Sequence, residues 1–152
     1  MREGSPKRID ATPAAPIPVI STPRRRKHEG DFGFPVVGIG ASAGGLEACK
    51  MLVEAAPAGS GIAFILVQHL DPSHESMMVE LLAGHTSLTL RQATDGMPIE
   101  PDNLYIIPPG AYLSVDEGAL LVSPPTARHG SRLPFDFLLN SMAERLAWIS
   151  QT

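Results

Sequence analysis

The apolar positions of the chain fall into two kinds of pattern. Val36-Val37-Gly38-Ile39 is a continuous apolar run, as expected of a central parallel strand buried on both faces. It runs into Gly40-Ala41-Ser42-Ala43-Gly44-Gly45, a glycine turn with a serine in it. After Gly44 the pattern changes. Leu46, Cys49, Leu52 or Val53, and Ala56 recur at three-to-four spacing, which predicts a helix with one stripe on the sheet; Pro57, Gly59 and Gly61 end it. Ile62–Val67 is again continuous and apolar, a second buried strand that closes a βαβ unit with a right-handed crossover.

Asp71-Pro72-Ser73 reads as a turn and cap before a second helix, which carries Met77, Met78, Leu81 and Leu82 and stops at Gly84. Four short extended pieces follow: Leu88–Ala93, Leu104–Ile107, Ala111–Val115 and Leu120–Val122. Turn signals separate them at Asp95-Gly96, Pro101-Asp102-Asn103, Pro108-Pro109-Gly110 and Glu117-Gly118, and the pieces are expected to pair as β-hairpins beside the parallel core. A last helix starts at Pro134, with the stripe Phe135, Leu138, Leu139, Met142, Leu146 and Ile149. No strand follows it before Thr152. The expected class is α/β: a doubly wound, mainly parallel sheet with helices on both faces and a β-hairpin region, lacking C-terminal strands.

Composition narrows the functional classes. Residues 1–31 are rich in Pro, Ala, Arg and Ser without apolar periodicity and are expected to be a disordered basic tail, leaving 32–152 as one domain. That tail holds seven Lys/Arg against four acids, so of the overall −4 the remainder carries −7. A −7 body is a poor nucleic-acid binder, because such binding rests on phosphate neutralisation. The Arg24-Arg25-Arg26-Lys27 cluster reads as a solvated linker. No apolar run reaches the length of a membrane span, so no membrane insertion is expected. The single cysteine, Cys49, excludes an internal disulfide framework and fits a reducing cytoplasm; its helical setting makes it core filler.

Functional residues of parallel α/β sheets gather at the carboxyl ends of strands. Ser42 lies just past the first strand and His69 just past the second. If these strands are neighbours, their ends lie about 5 Å apart, and a hydroxyl and an imidazole projecting from them come within hydrogen-bonding reach. A nucleophile and its general base require that arrangement: the imidazole takes the hydroxyl proton as oxygen attacks a carbonyl. Gly40, Gly44 and Gly45 let the backbone turn sharply, and the amides of the helix start, Ala43 among them, face a developing oxyanion. Two blander readings compete: a nucleotide loop, or a serine cap at a helix start. The Walker spacing is absent, since no Lys-Ser/Thr pair follows the glycines, and no acid closes the second strand to hold a ribose. His28, His74, His85 and His129 show no ligand spacing, so neither a metal nor a cofactor is expected. Arg128 and Arg132 flank a loop suited to a carboxylate or to plain solvent exposure.

Taken together, Gly40-Ala41-Ser42-Ala43-Gly44-Gly45-Leu46-Glu47-Ala48 and Val67-Gln68-His69-Leu70-Asp71-Pro72 resemble the catalytic domain of CheB, the chemotaxis protein-glutamate methylesterase, most closely the CheB-like domain at the front of hybrid methylesterase/methyltransferase proteins. Ala93–Ile99, Tyr105–Pro109 and Leu133–Leu139 extend the likeness over about residues 34–148. The resemblance implies a Ser-His-Asp triad that hydrolyses glutamate γ-methyl esters on the cytoplasmic helices of methyl-accepting chemoreceptors, with glutamine deamidation as a related activity and a methyltransferase as a partner. By position Ser42 matches the nucleophile and His69 the base, with Ala43, Gly44 and Gly45 at the oxyanion turn. The family's acid lies in a glycine-rich loop after the strand that follows the Pro134 helix, and the sequence contains neither. Asp136 matches an early position of that helix, not the acid. Turnover is therefore expected to be impaired, because the imidazole lacks its orienting carboxylate. The alternative is a non-catalytic receptor-binding module of the same fold.

Overall fold

The computed structural model describes residues 32–42, 44–68, 77–125 and 133–149, with side chains of the last helix described as far as Glu144. Ten elements follow in order: β1 (Val36–Ala41), α1 (Leu46–Ala55), β2 (Ala63–Gln68), α2 (Met78–Leu82), β3 (Thr89–Gln92), β4 (Met97–Pro98), β5 (Asn103–Ile106), β6 (Tyr112–Asp116), β7 (Ala119–Ser123) and α3 (Pro134–Ile149). Strands β1-β2-β5-β3 form a parallel sheet in that order, and β4-β7-β6 form a small antiparallel one.

Of the two apolar runs only the second becomes a strand buried on both faces; β1, expected to be central and buried, is the outer strand of the parallel sheet among the described residues and is only partly buried, with Val37 exposed. Every residue of β2 and β5 is buried. Alternation then divides their side chains between two layers. Phe64, Leu66, Leu104 and Ile106 pack with Cys49 and Val53 of α1 and with Met78 and Leu82 of α2. Ile65, Val67, Tyr105 and Ile107 pack on the other face with Leu113, Val115 and Leu120 of the small sheet and with Leu138 of α3. The helical stripes resolve accordingly: Val53 points inward, whereas Leu52 and Leu139 are exposed. The side chains of Leu146 and Ile149, and the turn at Asp71-Pro72-Ser73, lie outside the described residues.

The four extended pieces do not all pair as hairpins. β3 and β5 enter the parallel sheet, with Leu90 opposite Leu104 and Gln92 opposite Ile106. Apolar side chains on both faces of β5 are better buried in the middle of a sheet than at a half-solvated hairpin. Only β6 and β7 make a hairpin, closed by Glu117 (φ 46°) and Gly118 (φ 80°), the two positive angles a tight type I′ turn requires.

Two polar contacts hold the layers together. Ser141 Oγ, within α3, donates to Leu138 O at 2.7 Å and accepts the Val115 N–H of β6 at 3.1 Å. Tyr105 is fully buried; its hydroxyl donates to Pro98 O at 3.1 Å and accepts the Glu100 N–H at 2.8 Å. Burial raises the Tyr105 pKa above the ordinary phenol value, against the lowering effect of the Glu100 amide. A phenol whose folded pKa is raised contributes stability that is complete below the unfolded value, about 10, and is lost as pH climbs toward the folded one. Urea midpoints are therefore expected to fall as pH rises above about 10, and Tyr105→Phe should flatten that fall. An unchanged slope in Tyr105→Phe would remove Tyr105 as its source.

Candidate active site

β1 and β2 are adjacent, parallel and in register from Val36↔Ala63 to Ala41↔Gln68. Ser42 is the first residue past β1, and position 69 is the first past β2. The neighbouring strand ends assumed from the sequence are thus present. His69 itself, with Ala43, lies outside the described residues.

Ser42 is exposed, at the mouth of the sheet. It is not a helix cap: α1 begins at Leu46, its capping position is Gly45, and no side chain caps it. Among the described residues no hydrogen bond engages the Ser42 hydroxyl. Its backbone, in contrast, is fixed. The Ser42 carbonyl accepts the Gly45 N–H at 2.9 Å, which closes a four-residue turn, and accepts Gln68 Nε2 at 3.3 Å. The turn then passes directly into helix, with Cys49 N–H donating to Gly45 O at 2.9 Å.

The three glycines have three different reasons. A Cβ at Gly45 would sit 3.1 Å from Ala41 Cβ and 3.2 Å from Ser42 O, so a side chain there would make the turn give by a few tenths of an ångström. Gly44 has no atom within 4 Å of that point and faces open space. Gly40 departs from the sequence reading. It lies inside β1, not in the turn, and a Cβ there would come within 2.5 Å of the Phe135 ring. Its lack of a side chain serves packing: Phe135 of α3 rests directly on the strand that carries Ser42. At Gly38 the same helix supplies Met142 Sδ at 3.5 Å and Leu139 at 3.6 Å.

Cys49 is buried and its thiol pKa is pushed up by desolvation, the reverse of an activated nucleophile. Lys50 pairs with Glu47 at 3.0 Å on the outer side of α1. Among the described residues no group of His, Cys, Asp or Glu is arranged to hold a metal. His85 pairs with Glu54 at 2.6 Å, linking α1 to the segment after α2. Sequence reasoning missed Gln68 as part of this region. The signal was there: a carboxamide closing an otherwise wholly apolar strand.

Comparison with known proteins places this geometry. The family model for CheB methylesterase matches residues 37–149. A protein-glutamate methylesterase/protein-glutamine glutaminase of Xanthomonas oryzae pv. oryzae is 37% identical over 114 residues, covering 71% of this chain and 31% of the relative. A second, from Burkholderia lata, is 31% identical over 141 residues, covering 90% of this chain and 39% of its own length. The crystal structure of the Thermotoga maritima CheB methylesterase catalytic domain aligns with a TM-score of 0.63 at 26% identity, over 73% of this chain and 61% of that one. The chain thus spans about a third of the length of these curated relatives. The matched stretch opens at the second residue of β1 and closes at the last residue of α3, so the parallel sheet, save Val36, and its flanking layers lie inside it: the chain belongs to the CheB methylesterase family.

Proposed function

We propose that this domain, residues 32–152, carries the attacking pair of a serine esterase that hydrolyses glutamate γ-methyl esters on chemoreceptor cytoplasmic helices, in the cytoplasm and alongside a methyltransferase, with glutamine deamidation as its second reaction. Ser42 is the nucleophile and His69 the general base. The Ser42 Oγ–H proton passes to the imidazole as oxygen bonds to the ester carbonyl carbon. Collapse of the tetrahedral intermediate breaks the C–OCH3 bond, and the imidazolium proton leaves with methoxide as methanol. Water, deprotonated by the same imidazole, then attacks the acyl-serine, frees the glutamate carboxylate and returns the proton to Oγ. The backbone amides of Ala43 and Gly44 are assigned to the oxyanion, whereas that of Gly45, expected from the sequence to join them, is already given to the Ser42 carbonyl.

One observation carries the reading. The Ala41↔Gln68 register ends β1 and β2 side by side, and the residue just past β1 is an exposed serine that caps nothing. A fluorophosphonate probe tests it. Intact mass and peptide mapping are expected to find one adduct, on Ser42, and Ser42→Ala should abolish it. An unlabelled wild-type chain, or undiminished labelling in Ser42→Ala, would sink the nucleophile and favour a receptor-binding module without turnover.

A further inference from the structure

Alternation along β2 places Phe64, Leu66 and Gln68 on the face covered by α1 and α2. Gln68 is therefore a carboxamide in an apolar layer, only 6% exposed. Its Nε2 donates to Ser42 O at 3.3 Å, and among the described residues its Oε1 meets no donor although it is buried. The opposite amide orientation would set two acceptors against each other, so the contact itself fixes which end faces the turn. A buried amide with one long hydrogen bond and, among the described residues, an unmet acceptor is a poor way to fill a core. A leucine or methionine of similar volume would fill that space without the desolvation cost. What the amide alone supplies is a second donor to the carbonyl of Ser42, from a strand fixed on both sides by β1 and β5.

We propose that Gln68 is a positioning residue for the nucleophile turn. It clamps the Ser42 carbonyl from below while Gly45 N–H holds it from within the turn. With that carbonyl fixed, the direction of the Ser42 Cα–Cβ bond is fixed too, and the hydroxyl starts each attack from one orientation. Gln68 touches neither substrate nor reacting atoms. The proposal rests on the esterase reading for its consequence in chemistry, but not for the clamp itself.

The test compares the full chain with Gln68→Leu and Gln68→Met. Three quantities are measured: melting temperature, the second-order rate of fluorophosphonate labelling at Ser42, and hydrogen exchange at the Gly45 amide. Melting temperature is expected to hold or rise, because an under-satisfied amide gives way to an apolar group of like shape. Labelling is expected to slow about tenfold or more, since small misplacements of a reacting group are costly. Gly45 exchange is expected to quicken about fivefold, the worth of one ordinary hydrogen bond. A side chain that merely filled space would move melting temperature and leave the other two unchanged. Wild-type exchange at Gly45 in both variants overturns the clamp. If the wild-type chain takes no probe, the esterase reading fails, while the exchange comparison still decides whether Gln68 holds the turn.

Discussion

Exchange of His69 for alanine is expected to slow labelling of Ser42 by about 10²–10⁴-fold, the usual contribution of a positioned general base. The reasoning is chemical first. A serine hydroxyl is a weak nucleophile at neutral pH, and no Lys, Arg or second histidine among the described residues stands beside Ser42 to activate it. It is also geometric, because position 69 directly follows Gln68, whose strand partner Ala41 directly precedes Ser42. The measurement is the second-order labelling rate in matched samples, with Ser42→Ala as the zero. A rate in His69→Ala within about twofold of wild type, far inside the span of general-base effects, would leave Ser42 without its base. Free imidazole added to His69→Ala should recover part of the rate, which a general loss of structure would not allow.

Gly40→Val carries the largest expected cost in stability. Phe135 ring carbons lie 2.5, 2.7 and 2.8 Å from where a Cβ would stand, closer than atoms can approach without rearrangement. Phe135 is itself partly buried against the layer of Leu138, Val67 and Ile65, and the atoms in the way include its Cγ, so the ring cannot escape by swinging its far end alone. The loss is expected to reach about 3 kcal/mol, the upper part of the overpacking range. That is a large fraction of the 5–15 kcal/mol that holds an ordinary domain together. Urea unfolding checks it, and a double cycle identifies the cause: Phe135→Leu should cost stability alone yet recover part of the loss when combined with Gly40→Val. Strict additivity of the two substitutions would show that the clash lies elsewhere. Because Gly40 is two residues from Ser42, the same substitution should also slow labelling of whatever fraction remains folded.

The parallel core was legible because its signals are local. Continuous apolar runs at Val36–Ile39 and Ile62–Val67 admit few placements other than parallel strands, and the stripe of Leu46, Cys49 and Val53 dictates which side of α1 they meet; that β2 is central and buried while β1 is outermost and half-exposed is not written in the runs themselves. The glycine turn was legible for the same reason. The placing of β3 and β5 was not. Segments of four residues carry no sign of whether their neighbour is the next strand or one more distant, and that choice follows from the burial of the finished sheet. Gly40 was read as a turn residue because sequence shows the missing side chain but not Phe135 above it. Gln68 was passed over because its partner is a backbone carbonyl, which no side-chain pattern announces. The expected pairing of Ser42 with His69 rests on the order of motifs and on strand-end logic; the register shows the strands to be neighbours, while His69 lies outside the described residues.

The resting of α3 on the bare glycines of β1 also sets a schedule. Gly40 belongs to the first strand of the described chain and Phe135 to its last helix, so their contact closes almost the longest loop the fold contains. Such distant contacts cost the most chain entropy and tend to form after the local ones. During synthesis from the N-terminus, β1, α1 and β2 leave the ribosome while the residues of α3 are still untranslated. The strand that presents Ser42 therefore spends its early life uncovered on one face. Ser42, the proposed nucleophile, is thus made early, and the helix that supports its strand is among the last parts to arrive.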